Sequence, residues 1–325
     1  MSTFIIAEAG ANHDRNYKQA LALIDVAVAA KADAVKFQTY SSDTLYSKNT
    51  PDFAGYKNIN QLIKDIELPR EWQKDLKQYC DEVGIEFMST PFDEKAVDEL
   101  VALGVKRLKI AGFESTDFRF VEMVASSKLP LIISLGIGFR MNELGRIFEI
   151  ASKYGNDLTL LHCNNAYPTP MNEAGLGTIK ALSLNSKYKT GYSDHTTSVI
   201  TPALAVAAGA TVIEKHFTLS RLLPGPDHPF ALEPRELVEM VELIRQAEQA
   251  MIPQLNEYTE SEKAFIGARR SVVARCVIPE GGLFTEDNIT TKRPYIDGCI
   301  PAAEFHNLLG KPSTRSYSMD DLIKY

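Results

Sequence analysis

From the N-terminus to about residue 250 the sequence alternates short β-branched apolar runs with segments of helical period, and it does so eight times. The expected strands are Phe4–Ala9, Ala34–Thr39, Ile85–Thr90, Arg107–Ala111, Leu131–Ser134, Leu158–Cys163, Lys189–Ser193 and Val212–His216. Helical segments such as Tyr17–Ala30, Ala96–Leu103, Phe118–Ser126, Glu143–Ser152, Ile200–Ala208 and Pro234–Ala250 separate or follow them. Repeated β-α units build parallel sheets, and eight of them fit a closed α/β barrel of the triose-phosphate-isomerase (TIM) type better than an open sheet. An open sheet of this length usually carries a glycine-rich dinucleotide turn, and no turn here reads GxGxxG.

The pattern changes after residue 252. A polar stretch, expected as a linker over 253–268, leads to short strand-like pieces, SVVARCVI, LFTEDNI and KRPY, separated by turns such as PEGG. We expect a barrel over 1–252 and a small β domain over 269–325, too short to bury more than a modest core by itself. Within the 325 residues a net charge of −7 argues against nucleic acid as the main partner. The four cysteines form no metal-binding spacing, and no apolar run is long enough for a membrane span. Reduced thiols in a cytoplasmic protein are the expectation.

Polar residues gather where the expected strands end, which in such barrels is the active face. His195 in the SDH run and His216 in EKHFT close consecutive strands. Two imidazoles so placed suit a divalent metal with open positions, or else two hydrogen-bonded structural histidines. Lys36 and Lys109 stand inside apolar strands, where an ammonium group is costly unless it meets an anion. With the hydroxyls of Thr90, Ser134 and Ser193 they describe a phosphate site; the competing reading is two lysines reaching the barrel rim. Glu8 and Glu114 end strands one and four and are the acid/base candidates, unless they simply pair with Lys36 or Lys109. Asp14 and Asp93 read as caps, whereas Asp227, in the long GPDHPFALEP segment, faces the expected metal.

These residues are carried by motifs that resemble the N-acetylneuraminate (sialic acid) synthases and their legionaminate, pseudaminate and spore-coat relatives over nearly the whole chain. The matching runs are FIIAEAGANHD, DAVKFQT, STPFD, LKIAGFE, LHCNNAYPTP, GYSDHT, GATVIEKHFTL, LPGPDHPFALEP, ARRSVVA and ITTKRP. The resemblance implies a TIM barrel with a C-terminal antifreeze-like (SAF, β-clip) domain that caps the partner's site in a homodimer. It implies a divalent ion, manganese first with magnesium or cobalt as alternatives, on His195 and His216. Phosphoenolpyruvate would sit on Lys36, Thr90, Lys109, Ser134, Asn165, Tyr167 and Ser193. The amino sugar would meet Glu8, Gln38, Tyr167 and Asp227, with Arg293 reaching it from the other subunit, and Glu114 would assist proton transfer.

The sequence departs from the family pattern at three places. The usual KIGSGE reads LKIAGFE, so Gly112 stands where a hydroxyl is expected and Phe113 adds bulk beside Glu114; the usual STG reads Ser134-Leu135-Gly136; and the tail PSTRSYSMDDLIKY is shortened. The function expected is condensation of phosphoenolpyruvate with N-acetylmannosamine or a related amino-sugar aldehyde. A diamino-trideoxy hexose acceptor, an aldolase that uses free pyruvate, and an inactive sugar-binding relative are the competing expectations.

Overall fold

The computed structural model describes residues 2–52, 55, 57–255 and 257–325; position 256 of the expected linker lies outside it. The chain divides into two compact units, Met1–Ile252 and Pro253–Tyr325.

Eight parallel strands form the first unit: β1 (Phe4–Gly10), β2 (Ala34–Thr39), β3 (Glu86–Pro91), β4 (Leu108–Ile110), β5 (Leu131–Leu135), β6 (Leu158–Cys163), β7 (Lys189–Asp194) and β8 (Val212–His216). Hydrogen-bonded neighbours run β3-β2-β1-β8-β7-β6-β5-β4, and β3 and β4 lie against each other without a ladder, so the sheet curls into a nearly closed TIM barrel. Every expected strand is present with its ends moved by one residue or less at most termini.

The helices are α1 (Tyr17–Ala29), α2 (Ser42–Leu45), α3 (Ile59–Ile66), α4 (Gln73–Val83), α5 (Glu94–Leu103), α6 (Phe118–Ala125), α7 (Leu144–Tyr154), α8 (Gly177–Asn185), α9 (Thr201–Ala207) and α10 (Pro234–Ala250). Asp93 caps α5 as expected, accepting from Ala96 N at 2.7 Å. Asp14 does not cap α1. Asn16 does, accepting from Lys18 N and Gln19 N, because the chain turns twice through left-handed backbone at Asp14 and Arg15 before the helix begins.

The two-residue period of the strands sorts side chains between two cores. One parity, including Ile5, Ala7, Val35, Phe37, Leu108, Ile133, Leu160 and Ile213, packs outward against the helices. The other fills the barrel with one apolar layer, Ile6, Ala34, Met88, Ile132, Leu161 and Val212. Below that layer the Arg107 guanidinium lies 4.3 Å from the Phe4 ring and pairs with Glu86 at 2.7 Å.

The second unit is held by β9 (Ser271–Ala274) paired antiparallel with β10 (Ile289–Lys292), by isolated bridges, and by α11 (Phe305–Leu308). Its core gathers Val272, Ile278, Phe284, Ile289, Ile300, Tyr317 and Ile323. All three expected strand pieces are shorter than read, SVVARCVI forming a strand only over Ser271–Ala274. Most of LFTEDNI is a turn, because Asn288 Oδ1 accepts from Thr285 N at 2.8 Å and folds the segment back, and KRPY leaves the strand after Lys292. The tail is not loose: Tyr317 pairs with Ile278, Leu322 with Val273 and Lys324 with Cys299.

Candidate active site

Two residues beyond each member of the apolar layer, on the same inner face, stand Glu8, Lys36, Thr90, Ser134, Cys163 and Glu214. Lys109 of β4 and Ser193 of β7 join them, and all eight are buried. Lys36 Nζ lies 2.8 Å from Glu8 Oε2 and 3.5 Å from Glu214 Oε2, and donates to Thr90 Oγ1 at 2.8 Å. Lys109 Nζ lies 3.4 Å from Glu214 Oε1, which accepts from Ser193 Oγ at 2.8 Å. Gln38 Nε2 donates to Glu8 Oε1 at 2.8 Å. Ser134 Oγ is buried with no hydrogen-bond partner among the described residues.

The lysines therefore do not run to the rim; they meet inside. The shared counter-ion, Glu214, is the residue that sequence reading passed over, since its neighbour His216 drew the attention. Strand parity carried the signal, because 212, 214 and 216 share one face. Of the three hydroxyls expected to join the lysines, Thr90 touches Lys36, Ser193 touches Glu214, and Ser134 is unengaged.

Burial works against ionising Glu214, yet Lys109 and Lys36 hold it well below the usual carboxylate range. Burial pushes Glu8 up to about 7 against the pull of Lys36. Burial also opposes charge on Lys36, but Glu214 and Glu8 raise it on balance, whereas for Lys109 burial prevails and lowers it. Two lysines thus share one carboxylate that is held ionised, an arrangement that an anionic ligand would complete.

His195 follows β7 and His216 ends β8, with ring centroids 5.5 Å apart. Tyr167 lies 4.2 Å from His195, and Phe230 5.1 Å from His216. Burial pushes His195 down to about 4 and His216 well below the ordinary value, so both are neutral near pH 7. His195 Nδ1 lies 2.6 Å from Asn164 O. A carbonyl only accepts, so Nδ1 carries the proton and Nε2 keeps a lone pair. His216 Nδ1 is buried without a hydrogen bond, with Asp227 Oδ2 at 3.8 Å. This donor set fits a borderline divalent ion. Among the described residues no group of three or more His, Cys, Asp or Glu side chains could hold one, so water or substrate would complete the shell.

Above the polar layer opens a cavity of about 620 Å³ whose lining includes Gln38, Glu114, Asn165, Tyr167, His216 and Asp227. Burial pushes Glu114 up to about 7, and its Oε2 is buried without a partner. Asp227, raised by burial, accepts from Ala11 N at 3.3 Å. Asn165 explains the departure at Gly112 and the need for glycine at 136; nothing in the structure explains Leu135. A Cβ on Gly136 would come within 1.8 Å of Asn165 Oδ1, and one on Gly112 within 2.8 Å, so the amide occupies the space that side chains would take. Its Oδ1 accepts from Ile137 N at 3.0 Å.

Sequence reading also missed His228. Fully buried, it links Thr218 Oγ1 (2.6 Å) to Asp14 (3.0 Å) and ties the loop bearing Asp227 to the loop after β1. Arg293 belongs to the second unit, exposed on the turn after β10.

The model of the NeuB family matches residues 23–254. The chain is 38% identical to the N,N'-diacetyllegionaminic acid synthase of Campylobacter jejuni, over 99% of each chain. Among solved structures it resembles the N-acetylneuraminic acid synthetase of Leptospira borgpetersenii, crystallised with citrate, at 35% identity and a TM-score of 0.76 over 82% of this chain and 90% of that one. It also resembles the spore coat polysaccharide biosynthesis protein spsE of Bacillus subtilis, at 34% identity and a TM-score of 0.68 over 99% and 94%.

Proposed function

The chain belongs to the NeuB family, and from that premise we propose that it is a nonulosonate synthase. It condenses phosphoenolpyruvate with N-acetylmannosamine or a related amino-sugar aldehyde, and with water, to give a nine-carbon 2-keto sugar acid and inorganic phosphate. The observation that carries this reading is the pair of buried lysines, Lys36 and Lys109, set under two neutral imidazoles and a Glu114 whose Oε2 has no hydrogen-bond partner, on one barrel face. Free pyruvate carries a single carboxylate, whereas phosphoenolpyruvate brings a carboxylate and a phosphate for the two lysines to meet.

Lys36, Lys109, Thr90, Ser134 and Ser193 would hold the anionic groups of phosphoenolpyruvate, with Asn165 and Tyr167 at the upper edge. Gln38, Tyr167 and Asp227 would hold the sugar. His195 and His216 would hold a divalent ion, manganese in the first instance, which would supply Lewis-acid polarisation of the sugar aldehyde. C3 of phosphoenolpyruvate then bonds to the aldehyde carbon, water adds at the cationic C2, and the tetrahedral carbon expels phosphate by breaking its C2–O bond. The aldehyde oxygen gains one proton and the water loses two, one as it adds and one as its oxygen becomes the C2 carbonyl, the second leaving with phosphate. Glu114 and Glu8, both poised near 7, are the groups that give and take them. Juxtaposing the reactants can contribute up to roughly 7–11 kcal/mol in well-oriented systems.

We assign the second unit as an antifreeze-like lid that brings Arg293 to the site of a partner copy in a homodimer, excluding bulk water. The ARRSVVA and ITTKRP motifs support that reading. No helix of the described residues is long and apolar enough to cross a membrane, and all four cysteines are free thiols, in keeping with a cytoplasmic enzyme.

The test is phosphate release from phosphoenolpyruvate with manganese, comparing N-acetylmannosamine, a diamino-trideoxy hexose and no acceptor. Acceptor-dependent release that His195→Ala abolishes is the expected outcome. Release without acceptor, or none with any acceptor in folded, metal-loaded protein, would overturn the proposal.

A further inference from the structure

The outward face of the barrel carries a charged pair that the chemistry above does not use. Along β8 the outward residues Ile213 and Phe217 belong to the apolar core between strands and helices, yet Lys215, between them in parity, is an ammonium group buried as deeply as they are. Opposite it in register on β7 stands Asp194, fully buried, with Oδ2 2.8 Å from Lys215 Nζ. The same Nζ donates to Thr196 O and lies 3.4 Å from Thr196 Oγ1. Thr196 closes the knot. Its N donates to Asp194 Oδ1 at 2.8 Å, and its Oγ1 lies 3.3 Å from Asp194 Oδ2 and 3.3 Å from Thr201 Oγ1, where α9 begins.

Stability does not account for this pair. Two buried ions recover only part of their hydration from each other, and a well-packed apolar pair of the same volume holds two strands together as well or better. What the ion pair adds is direction. Position 195 lies between the two residues that Lys215 grips, Asp194 and Thr196, and position 216 is the neighbour of Lys215 itself. One ammonium group therefore ties the chain on both sides of His195 to the strand end that carries His216. The imidazole of His195 has a hydrogen bond of its own, to Asn164 O, but His216 Nδ1 has none. The placement of His216 relative to His195, with ring centroids 5.5 Å apart, thus rests on how the two strand ends are held.

Resting on the reading of His195 and His216 as the holders of a divalent ion, we propose that Asp194 and Lys215 are positioning residues for that pair of histidines. They touch neither ion nor substrate; from the outer face they fix the spacing at which two imidazoles can share one ion. A site with only two protein donors depends on that spacing more than a site with three or four, because no further ligand compensates for an error in it. Groups that orient metal ligands from behind are worth about 10- to 100-fold in metal affinity, and that is the range expected here.

The experiment measures two affinities of the full-length protein: that for Mn²⁺, from the electron paramagnetic resonance signal of the free ion, and that for phosphoenolpyruvate without metal, by calorimetry. The main variant is the double substitution Asp194→Asn with Lys215→Met, which removes both charges together and leaves no buried ion unpaired. It should weaken Mn²⁺ binding by about 10- to 100-fold while phosphoenolpyruvate binding stays near wild type. Thr196→Val, nearly isosteric, removes one hydroxyl from the knot and should weaken Mn²⁺ binding in the same direction by less. Circular dichroism confirms folding, and if the double variant does not fold, Thr196→Val decides alone. Wild-type Mn²⁺ affinity in the folded variants, or an equal loss of both affinities, would overturn the assignment and leave the two-histidine site standing. His195→Ala is the control. Mn²⁺ binding that is absent from the wild type, or that survives His195→Ala, would instead overturn the two-histidine site, and the assignment with it.

Discussion

The two inner layers of the barrel are built by the same strands, two residues apart, yet they are chemical opposites. Ile6, Ala34, Met88, Ile132, Leu161 and Val212 form a dry apolar plug; Glu8, Lys36, Thr90, Ser134, Cys163 and Glu214, one step up, form a buried polar layer. The lower layer stabilises by burial, on the order of 1.5–3 kcal/mol for each large side chain. The upper layer spends some of that stability, since desolvated ions recover only part of their hydration from one another. The difference teaches where function resides: the fold needs the lower layer to be apolar, whereas only a substrate gives the upper one a reason to be charged.

The largest test of this contrast is removal of a cation. Lys36→Met should cost about 10²–10³-fold in kcat/KM for phosphate release, by loss of a preorganised charge at the reacting anion. The protein should stay folded, because Glu8, already raised to about 7, can take up a proton in its place. The converse substitution, Ile132→Ala in the lower layer, should destabilise by about 2–5 kcal/mol in urea unfolding while kcat/KM stays near wild type. Large activity loss there, at a temperature where the variant is folded, would break the distinction between the layers.

Smaller effects sharpen it. Gly136→Ala should displace the Asn165 amide, whose Oδ1 would lie 1.8 Å from the new Cβ, and lower kcat/KM by about 10- to 100-fold with little change in unfolding. The mildest effect is in pH. Glu114 is raised from 4.5 to about 7, so between those values the folded state binds more protons than the unfolded one. Its contribution is present at acid pH and is lost as pH rises through 7. Unfolding of Glu114→Gln relative to wild type should therefore shift in the variant's favour between pH 5 and pH 7.5. A difference independent of pH would show that Glu114 ionises normally.

The barrel was legible because strand period and β-branched runs report directly on the backbone, and polar residues at strand ends reported the site. Glu214 was not read as part of it because a buried counter-ion has no motif of its own; strand parity with His216 pointed to it, and the register of β7 and β8 sets Ser193 opposite it. The excursion carrying α2 and α3, which walls the cavity, was missed because such short segments owe their helicity to packing rather than to propensity. Asp14 was read as a cap from its loop setting, but its partner His228 lies 214 residues away. In the second unit, TEDN within LFTEDNI favours a side-chain-closed turn over a strand, a competition that local hydrophobicity does not register.

The central claim, that the upper layer is an anion pocket for phosphoenolpyruvate, is tested most directly by calorimetric titration of phosphoenolpyruvate into wild type, Lys36→Met and Ile132→Ala. The account predicts that wild type and Ile132→Ala bind alike and that Lys36→Met loses most of the affinity. Equal binding by Lys36→Met and wild type would contradict it.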